Sequence, residues 1–320
     1  MVTKDRIEEV RERYGEWSAM SIHLGGDLYT LRPAPDGRLR RLLQIALDLA
    51  GKPLDQLRVL DLACLEGHYA VEFALHGAEG VGIELREQNL AKAEFVRDYL
   101  NLDRLVLCRD DVRNLSREKY GEFDVVICSG ILYHLDVPDV FHFVRSIYEV
   151  CTRLAIFDTQ IALSPDETVE FENEKYHGIW YKEHEESHDR ERRLKDLWAS
   201  VDNVRSFWLT EPSLANLIAR TGFSSFYECL NPHHDVPVDR RAYVAVKGRP
   251  AAILSSPKTA ELGLAGKPEV APKAVQSRHG LIFRLGKQAL PQPVKDVIKP
   301  ILRKMRLLPP DPTPPYLRRR

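Results

Sequence analysis

No stretch of this 320-residue sequence approaches the ~18–20 consecutive apolar residues that a membrane span requires. The opening residues, MVTKDRIEEVRERYGEW, are charged and lack the apolar stretch of a secretory signal. Cysteine is scarce as well: there are five, an odd number, with no CxxC pair among them. A disulfide framework and a CxxC redox or zinc motif are therefore not expected. Cys64, Cys108, Cys128 and Cys151 fall in apolar segments, where a thiol behaves as a small hydrophobe. These absences together point to a reduced, cytoplasmic protein. Apolar residues make up 44% of the chain and charged residues 29%, enough of the former to bury a substantial core.

A net charge of −1 conceals an asymmetry. From Pro268 to Arg320 there are twelve Lys or Arg against three Asp or Glu, so the rest of the chain is acidic. An acidic body lacks the phosphate-neutralising charge that dominates nucleic-acid affinity, and a nucleic-acid partner is not expected. Residues 249–320 also hold twelve of the 20 prolines, which excludes a long continuous core element there. Within them Val294, Val297, Ile298, Ile301, Leu302 and Met305 recur at helical spacing, with Lys295, Lys299, Arg303 and Lys304 on other faces. Such a basic amphipathic helix suits a peripheral packing role or contact with a membrane surface.

Between residues 56 and 248, short β-rich runs alternate with helical patterns. Strands are expected at 57–63, 80–85, 104–111, 123–130 and 151–158, and helices at 68–77, 86–102, 139–150 and 211–223. Two closing strands, within FSSFYECL and over 241–248, are near enough to pair antiparallel. This alternation predicts an α/β fold, a doubly wound, mostly parallel sheet covered on both faces. The domain plan is an N-terminal helical cap (1–55), a core (56–248) interrupted by an insertion at 159–210, and a Pro-rich basic extension (249–320).

One further absence is informative. In VLDLACLEG (Val59–Gly67) a strand runs into a loop where a dinucleotide site would carry GxGxxG, yet Ala63 and Leu65 occupy two of the glycine positions. No pyrophosphate can rest on such a loop in the usual way, whereas a cofactor without phosphates tolerates the replacements.

The stretch VLDLACLEGHYAVEFALHGAEGVGIEL resembles the first two motifs of the class I S-adenosylmethionine-dependent methyltransferases. CRDDVRNL and FDVVICSGILYHL are similar to the two motifs that follow, and the paired terminal strands suit the seven-stranded, Rossmann-like order of that family. The resemblance implies S-adenosylmethionine as cofactor. It places Asp61, Ala63, Glu66 and Gly67 near its amino-acid end, Glu84 and Leu85 at the ribose, Asp111 and Val112 at the adenine, and Ser129 near the methyl group. Physically, Glu84 can accept two ribose hydrogen bonds, and Gly67 would leave room for close approach of the ligand.

The insertion at 159–210 reads as a lid that shapes the acceptor site. It combines Glu170, Glu172 and Glu174 with Phe171, Tyr176, Trp180 and Tyr181. Trp17, Tyr176, Trp180, Phe207 and Trp208 are the candidate acceptor contacts, with aromatics that merely pack the lid onto the sheet as the alternative. Segments at 17–30, 129–140 and 206–223 resemble the bacterial enzymes that modify wobble uridine in tRNA. The layout also resembles the bacterial C-methyltransferases acting on geranyl diphosphate, and this is the favoured expectation. It implies a carbocation shielded by aromatic rings, Glu170 as base, and Arg and His side chains with Mg²⁺ holding a diphosphate. His134 is the second candidate base. For an O-methyltransferase of a phenolic metabolite, His134 or Tyr181 would serve instead. A non-catalytic cofactor-binding module stays open, as does a homo-oligomer. HEESH (184–188) fits the HExxH zinc pattern, but its surroundings are almost wholly charged and read as a solvated helix.

Overall fold

The computed structural model describes residues 2–230 and 237–260. Helix α1 (Val2–Tyr14) is followed by a small hairpin, β1 (His23–Gly25) and β2 (Leu28–Tyr29), and by α2 (Gly37–Leu49). The core then alternates through β3 (Arg58–Leu62), α3 (His68–Leu75), β4 (Glu79–Glu84), α4 (Glu87–Tyr99) and β5 (Leu105–Arg109). A short α5 (Arg117–Tyr120) leads to β6 (Phe123–Ser129), α6 (Asp139–Val150) and β7 (Cys151–Gln160). Next come β8 (Glu167–Phe171), β9 (Glu174–Lys182), α7 (Arg190–Lys195) and β10 (Arg205–Leu209). The chain closes this unit with α8 (Glu211–Thr221), β11 (Ser225–Glu228) and β12 (Arg240–Val246).

Seven strands form one sheet in the order β11-β12-β7-β6-β3-β4-β5. The five from β7 to β5 are parallel, while β12 is antiparallel to both its neighbours. The doubly wound, mostly parallel arrangement expected from the alternation is what forms. Its physical reason is visible in β6, where six consecutive residues are buried. Val126 and Cys128 face one helical layer and Val125 and Ile127 the other, so the middle of the strand is covered on both faces. Helix α6 supplies a matching stripe: Val140, Phe141, Val144, Ile147 and Val150 are all buried. Burying each such side chain stabilises the fold by roughly 1.5–3 kcal/mol before chain entropy is subtracted. The five cysteines are free thiols, as expected, and burial pushes the Cys151 thiol up to about 12.

The N-terminal cap is built onto the sheet's helices. Ile7, Trp17, Ile22 and Leu24 pack with Phe95 and Val96 of α4. A buried ion pair, Lys92 Nζ to Glu66 Oε1 at 2.8 Å, lies beneath that contact. The insertion carries a three-stranded antiparallel sheet, β10-β9-β8, rather than a loose lid. The HEESH segment is a turn and not a helix, with His184 buried and bonded to the Ser200 carbonyl at 2.5 Å. Among the described residues no group of three or more His, Cys, Asp or Glu is placed to hold a metal ion. No described helix is long and apolar enough to cross a membrane. The basic amphipathic run between Val294 and Met305 lies outside the described residues.

Candidate functional site

A cleft of about 300 Å³ opens at the carboxyl ends of β3, β4 and β6, the edge where doubly wound sheets bind ligands. Its floor is the loop after β3. Ala63 and Leu65 adopt positive φ, 54° and 49°. The two missing glycines are therefore replaced without changing the conformation that glycine would favour, at a cost of roughly 1–2 kcal/mol per residue. Hydrogen bonds hold the strained loop in place: the Leu65 N–H donates to Glu84 Oε2 at 3.0 Å, and the Cys64 N–H to the Ile83 carbonyl at 2.9 Å.

Eight of the expected site residues line this cleft together: Ala63, Glu66, Glu84, Leu85, Asp111, Val112, Ser129 and His134. Glu84 ends β4 with its carboxylate accepting from the Leu65 and Arg86 amides, at 3.0 and 2.7 Å. Burial raises its pKa against those bonds. Each of its oxygens keeps a further lone pair, so a diol facing the cleft can still be bound. Asp111 caps a short turn and accepts from the Arg113 amide at 2.9 Å and from the Arg113 guanidinium at 2.5 Å. Burial works to raise its pKa, but Arg113 holds it below the ordinary value. Buried Val112 offers an apolar wall beside it. A ribose carboxylate, a polar contact for a purine amine and an apolar wall in this order suit a nucleoside, and the residues fit S-adenosylmethionine.

Several expectations are corrected. Asp61 does not reach the cleft: it is 2% exposed and accepts from the Ala70 amide at 3.1 Å, bracing the start of α3. Burial pushes its pKa up to about 8, opposed by that bond and assisted by Glu84. Gly67 also lies off the cleft wall, and the space it leaves is taken by protein. A Cβ there would stand 2.9 Å from Ala93 Cβ of α4, at a φ of +82°. Glu66 lines the cleft, but its oxygens are engaged by the Ser18 and Ala19 amides at 2.8 and 3.0 Å as well as by Lys92. Its work is to tie the N-terminal segment over the loop.

The aromatic and acidic lid is corrected more fully. Glu170 is exposed on β8 opposite Lys175, outside the cleft, and so does not stand where a base would act. Tyr176 is buried against Phe141, with ring centroids 4.8 Å apart. Trp180 packs edge-on to Phe207, and Tyr181 stacks on Trp208 at 4.4 Å. Trp17 is buried beside Phe95. None of Trp17, Tyr176, Trp180, Tyr181, Phe207 and Trp208 lines the cleft; Trp17, Tyr176, Trp180 and Phe207 pack the cap and the inserted sheet onto the core, while Tyr181 and Trp208 stack on each other beside Tyr133. A cation shielded by these rings has no place to form.

The part of the insertion that does reach the site is a strap, Leu197–Asn203. Arg86 holds it from one wall, donating to the Asp196 and Ala199 carbonyls at 2.8 and 2.7 Å. Arg113 holds it from the other through Asp202. Trp198 sits on this strap, 64% exposed and lining the cleft. It is the one lid tryptophan that sequence reasoning passed over, and nothing in its local sequence sets it apart from Trp180, which also has charged neighbours.

His134 lies on a short turn after β6 and its Nδ1 is 3.0 Å from Glu183 Oε1 at the end of β9. The Glu183 side chain is 1% exposed and also accepts from Ser206 Oγ at 2.7 Å and from the Ser200 amide at 3.0 Å. With Nδ1–H donated to the carboxylate, Nε2 is left as the acceptor. Glu183 was missed because its partner is far away in sequence and sits on an inserted sheet.

Residues 54–201 match a family described as "Methyltransferase domain". A ubiquinone biosynthesis O-methyltransferase from Acinetobacter baumannii is 32% identical over 117 residues, which are 37% of this chain and 45% of that protein. The protein of the same name from Methylococcus capsulatus is 30% identical over 146 residues, 45% of this chain and 55% of that protein. The chain thus spans about half the length of these curated relatives. Among solved structures, the N-terminal domain of EvdMO1, determined in the presence of SAH and D-fucose, is similar with a TM-score of 0.61 at 20% identity. That match covers 78% of this chain and 98% of the other. Strand order, loop geometry and family match agree: residues 54–201 carry a methyltransferase domain, set in a seven-stranded, mostly parallel sheet.

Proposed function

We propose that the protein methylates a hydroxyl group of a small-molecule acceptor, with His134 as the general base and Glu183 as the residue that positions it. The observation that carries this reading is the Glu183–His134 pair at the wall of the cleft. Bound S-adenosylmethionine supplies an electrophilic methyl group. Glu84, Asp111 and Val112 hold the nucleoside, and the strap from Leu197 to Asn203 excludes water above it. His134 Nε2 would take the proton that the acceptor hydroxyl loses as its oxygen displaces the methyl group from the sulfonium, the carbon–sulfur bond breaking as the carbon–oxygen bond forms and its electron pair staying on a neutral thioether. Glu183 fixes the ring's tautomer and stabilises the imidazolium that results. The curated relatives are named O-methyltransferases, which supports oxygen as the atom modified. A pure binding module would have no use for a buried carboxylate orienting a histidine at the cleft.

The test uses the full chain with isotopically labelled S-adenosylmethionine and separate panels of phenols, sugars, prenyl diphosphates and bulk tRNA. The expected result is label on an oxygen of a small molecule, lost in His134→Ala. Label on carbon, or on tRNA, would overturn the reading.

A further inference from the structure

We propose that Trp198 is a cofactor-binding residue whose indole stacks on the adenine of S-adenosylmethionine. The proposal rests on the methyl-transfer reading and adds to its cofactor site a residue from the insertion, away from the strand ends. A single exposed aromatic means little by itself. Trp198 differs in where it stands: it is 64% exposed yet lines the cleft, whereas Trp17 and Trp208 are 2% and 8% exposed and lie off it. The rings of Trp180 and Trp208 are paired with Phe207 and Tyr181. The Trp198 ring has no aromatic partner among the described residues.

The strap fixes the place of this indole. Arg86 holds the carbonyls of Asp196 and Ala199, the residues that bracket Leu197 and Trp198. The Trp198 amide donates to Asp196 Oδ1 at 3.2 Å. Farther along, the Ser200 amide donates to Glu183 Oε2 at 3.0 Å, Asp202 pairs with Arg113, and Asn203 Nδ2 donates to the His134 carbonyl at 3.0 Å. Both ends are tied down, so the backbone spans the cleft instead of swinging over it. The two arginine anchors each stand two residues after a nucleoside carboxylate, Arg86 after Glu84 and Arg113 after Asp111. Trp198 is thus fastened beside the expected ribose and adenine contacts, and the strap meets His134 only at its other end.

The chemistry of the cleft wall suits a flat, uncharged ring. Leu85, Val112, Leu197 and Val201 line the cleft along with Trp198. The cations beside them are spent on the protein: Arg86 donates to three carbonyls, and Arg113 is held by Asp111 and Asp202. Adenine is neutral near pH 7 and offers two broad faces to such walls. Stacking a base on an aromatic side chain is favourable because both surfaces are flat and polarisable. An indole already exposed can be covered by the ligand without leaving a packed neighbour, so its apolar face is buried at no cost in protein contacts.

The test titrates S-adenosylhomocysteine and 5′-methylthioadenosine into the full chain, read by calorimetry and by tryptophan fluorescence. The second ligand keeps the adenosine and the thioether but lacks the amino-acid part. Trp198→Ala is expected to weaken both ligands by about tenfold, the size of one base–aromatic stack. Trp198→Phe, which keeps a stacking face, is expected to weaken them by no more than about threefold. The fluorescence change that S-adenosylhomocysteine causes in the parent is expected to vanish in Trp198→Phe, since Trp17, Trp180 and Trp208 lie off the cleft. Unchanged affinity for both ligands in Trp198→Ala would overturn the proposal and leave the methyl-transfer reading in place. A loss confined to S-adenosylhomocysteine would also overturn it, because the indole would then face the amino-acid end. A parent protein that binds neither ligand would instead overturn the methyl-transfer reading, and the proposal with it.

Discussion

His134 Nδ1 and Glu183 Oε1 meet at 3.0 Å although 49 residues separate them, and the carboxylate is the more deeply buried partner. A base oriented in this way contributes about 100-fold or more to the rate. His134→Ala is expected to lower kcat by at least that order while leaving S-adenosylhomocysteine affinity unchanged by calorimetry. Glu183→Gln is expected to cost less, because the amide oxygen still accepts the Nδ1–H but no longer offsets the charge on the ring. Unchanged turnover in His134→Ala would remove the histidine from the chemistry.

Asp61 links pH to stability. Burial raises its pKa from the ordinary 3.8 to about 8. Between those values the folded chain holds a proton that the unfolded chain has released. Its contribution is therefore full below about pH 4 and is lost as pH rises through 8. Asp61→Asn cannot ionise and still accepts from the Ala70 amide. Relative to the parent, its Tm should improve steadily from pH 5 to pH 8. A difference in Tm independent of pH would show that Asp61 does not titrate in this range.

Leu65 holds a left-handed backbone at φ 49° that glycine would adopt without strain. Relief of roughly 1–2 kcal/mol is opposed by the roughly 0.5–1 kcal/mol that glycine loses in chain entropy on folding. Leu65→Gly should thus be neutral to about 1.5 kcal/mol more stable in urea unfolding. Marked destabilisation would mean that the leucine side chain contributes packing which outweighs the strain.

Arg86 fastens the strap through three carbonyls, those of Leu194, Asp196 and Ala199. Charged hydrogen bonds of this kind contribute about 1.5–3 kcal/mol each when fully realised, less where solvent competes. Arg86→Ala is expected to weaken S-adenosylhomocysteine binding by about tenfold, near the lower end of that range, with the loss seen mainly in KM for the cofactor. Wild-type affinity in this variant would show that the strap does not close on the nucleoside.

Much of the fold was legible along the chain, because local patterns encode it. Apolar runs such as those at Leu60, Val126 and Ile156 can only be strands covered on both faces, and Gly77 and Gly222 mark where helices stop. That Glu84, Asp111 and Val112 line one cleft was legible for the same reason: they lie at or just after strand ends, and strand ends of this sheet share one edge. The glycine replacements at Ala63 and Leu65 could not be read for their path, since only neighbouring hydrogen bonds decide whether a non-glycine residue tolerates positive φ.

The acceptor half was not legible, and the lid shows why. Trp180, Phe207 and Trp208 carry the same composition whether they face a ligand or a sheet; the pairing of β9 with β10 put Trp180 and Phe207 on the face toward the core and Trp208 on the other, against Tyr181 and Tyr133. Glu183 and His134, or Asp158 with Arg38, Arg41 and Arg240, come from segments 49 to 120 residues apart. The sequence by itself determined the sheet, its edge and the residues at its strand ends, because periodicity and strand ends are local properties. Only the tertiary structure decided which charges meet in the cleft, because long-range packing sets how deeply each is buried and which partner it finds.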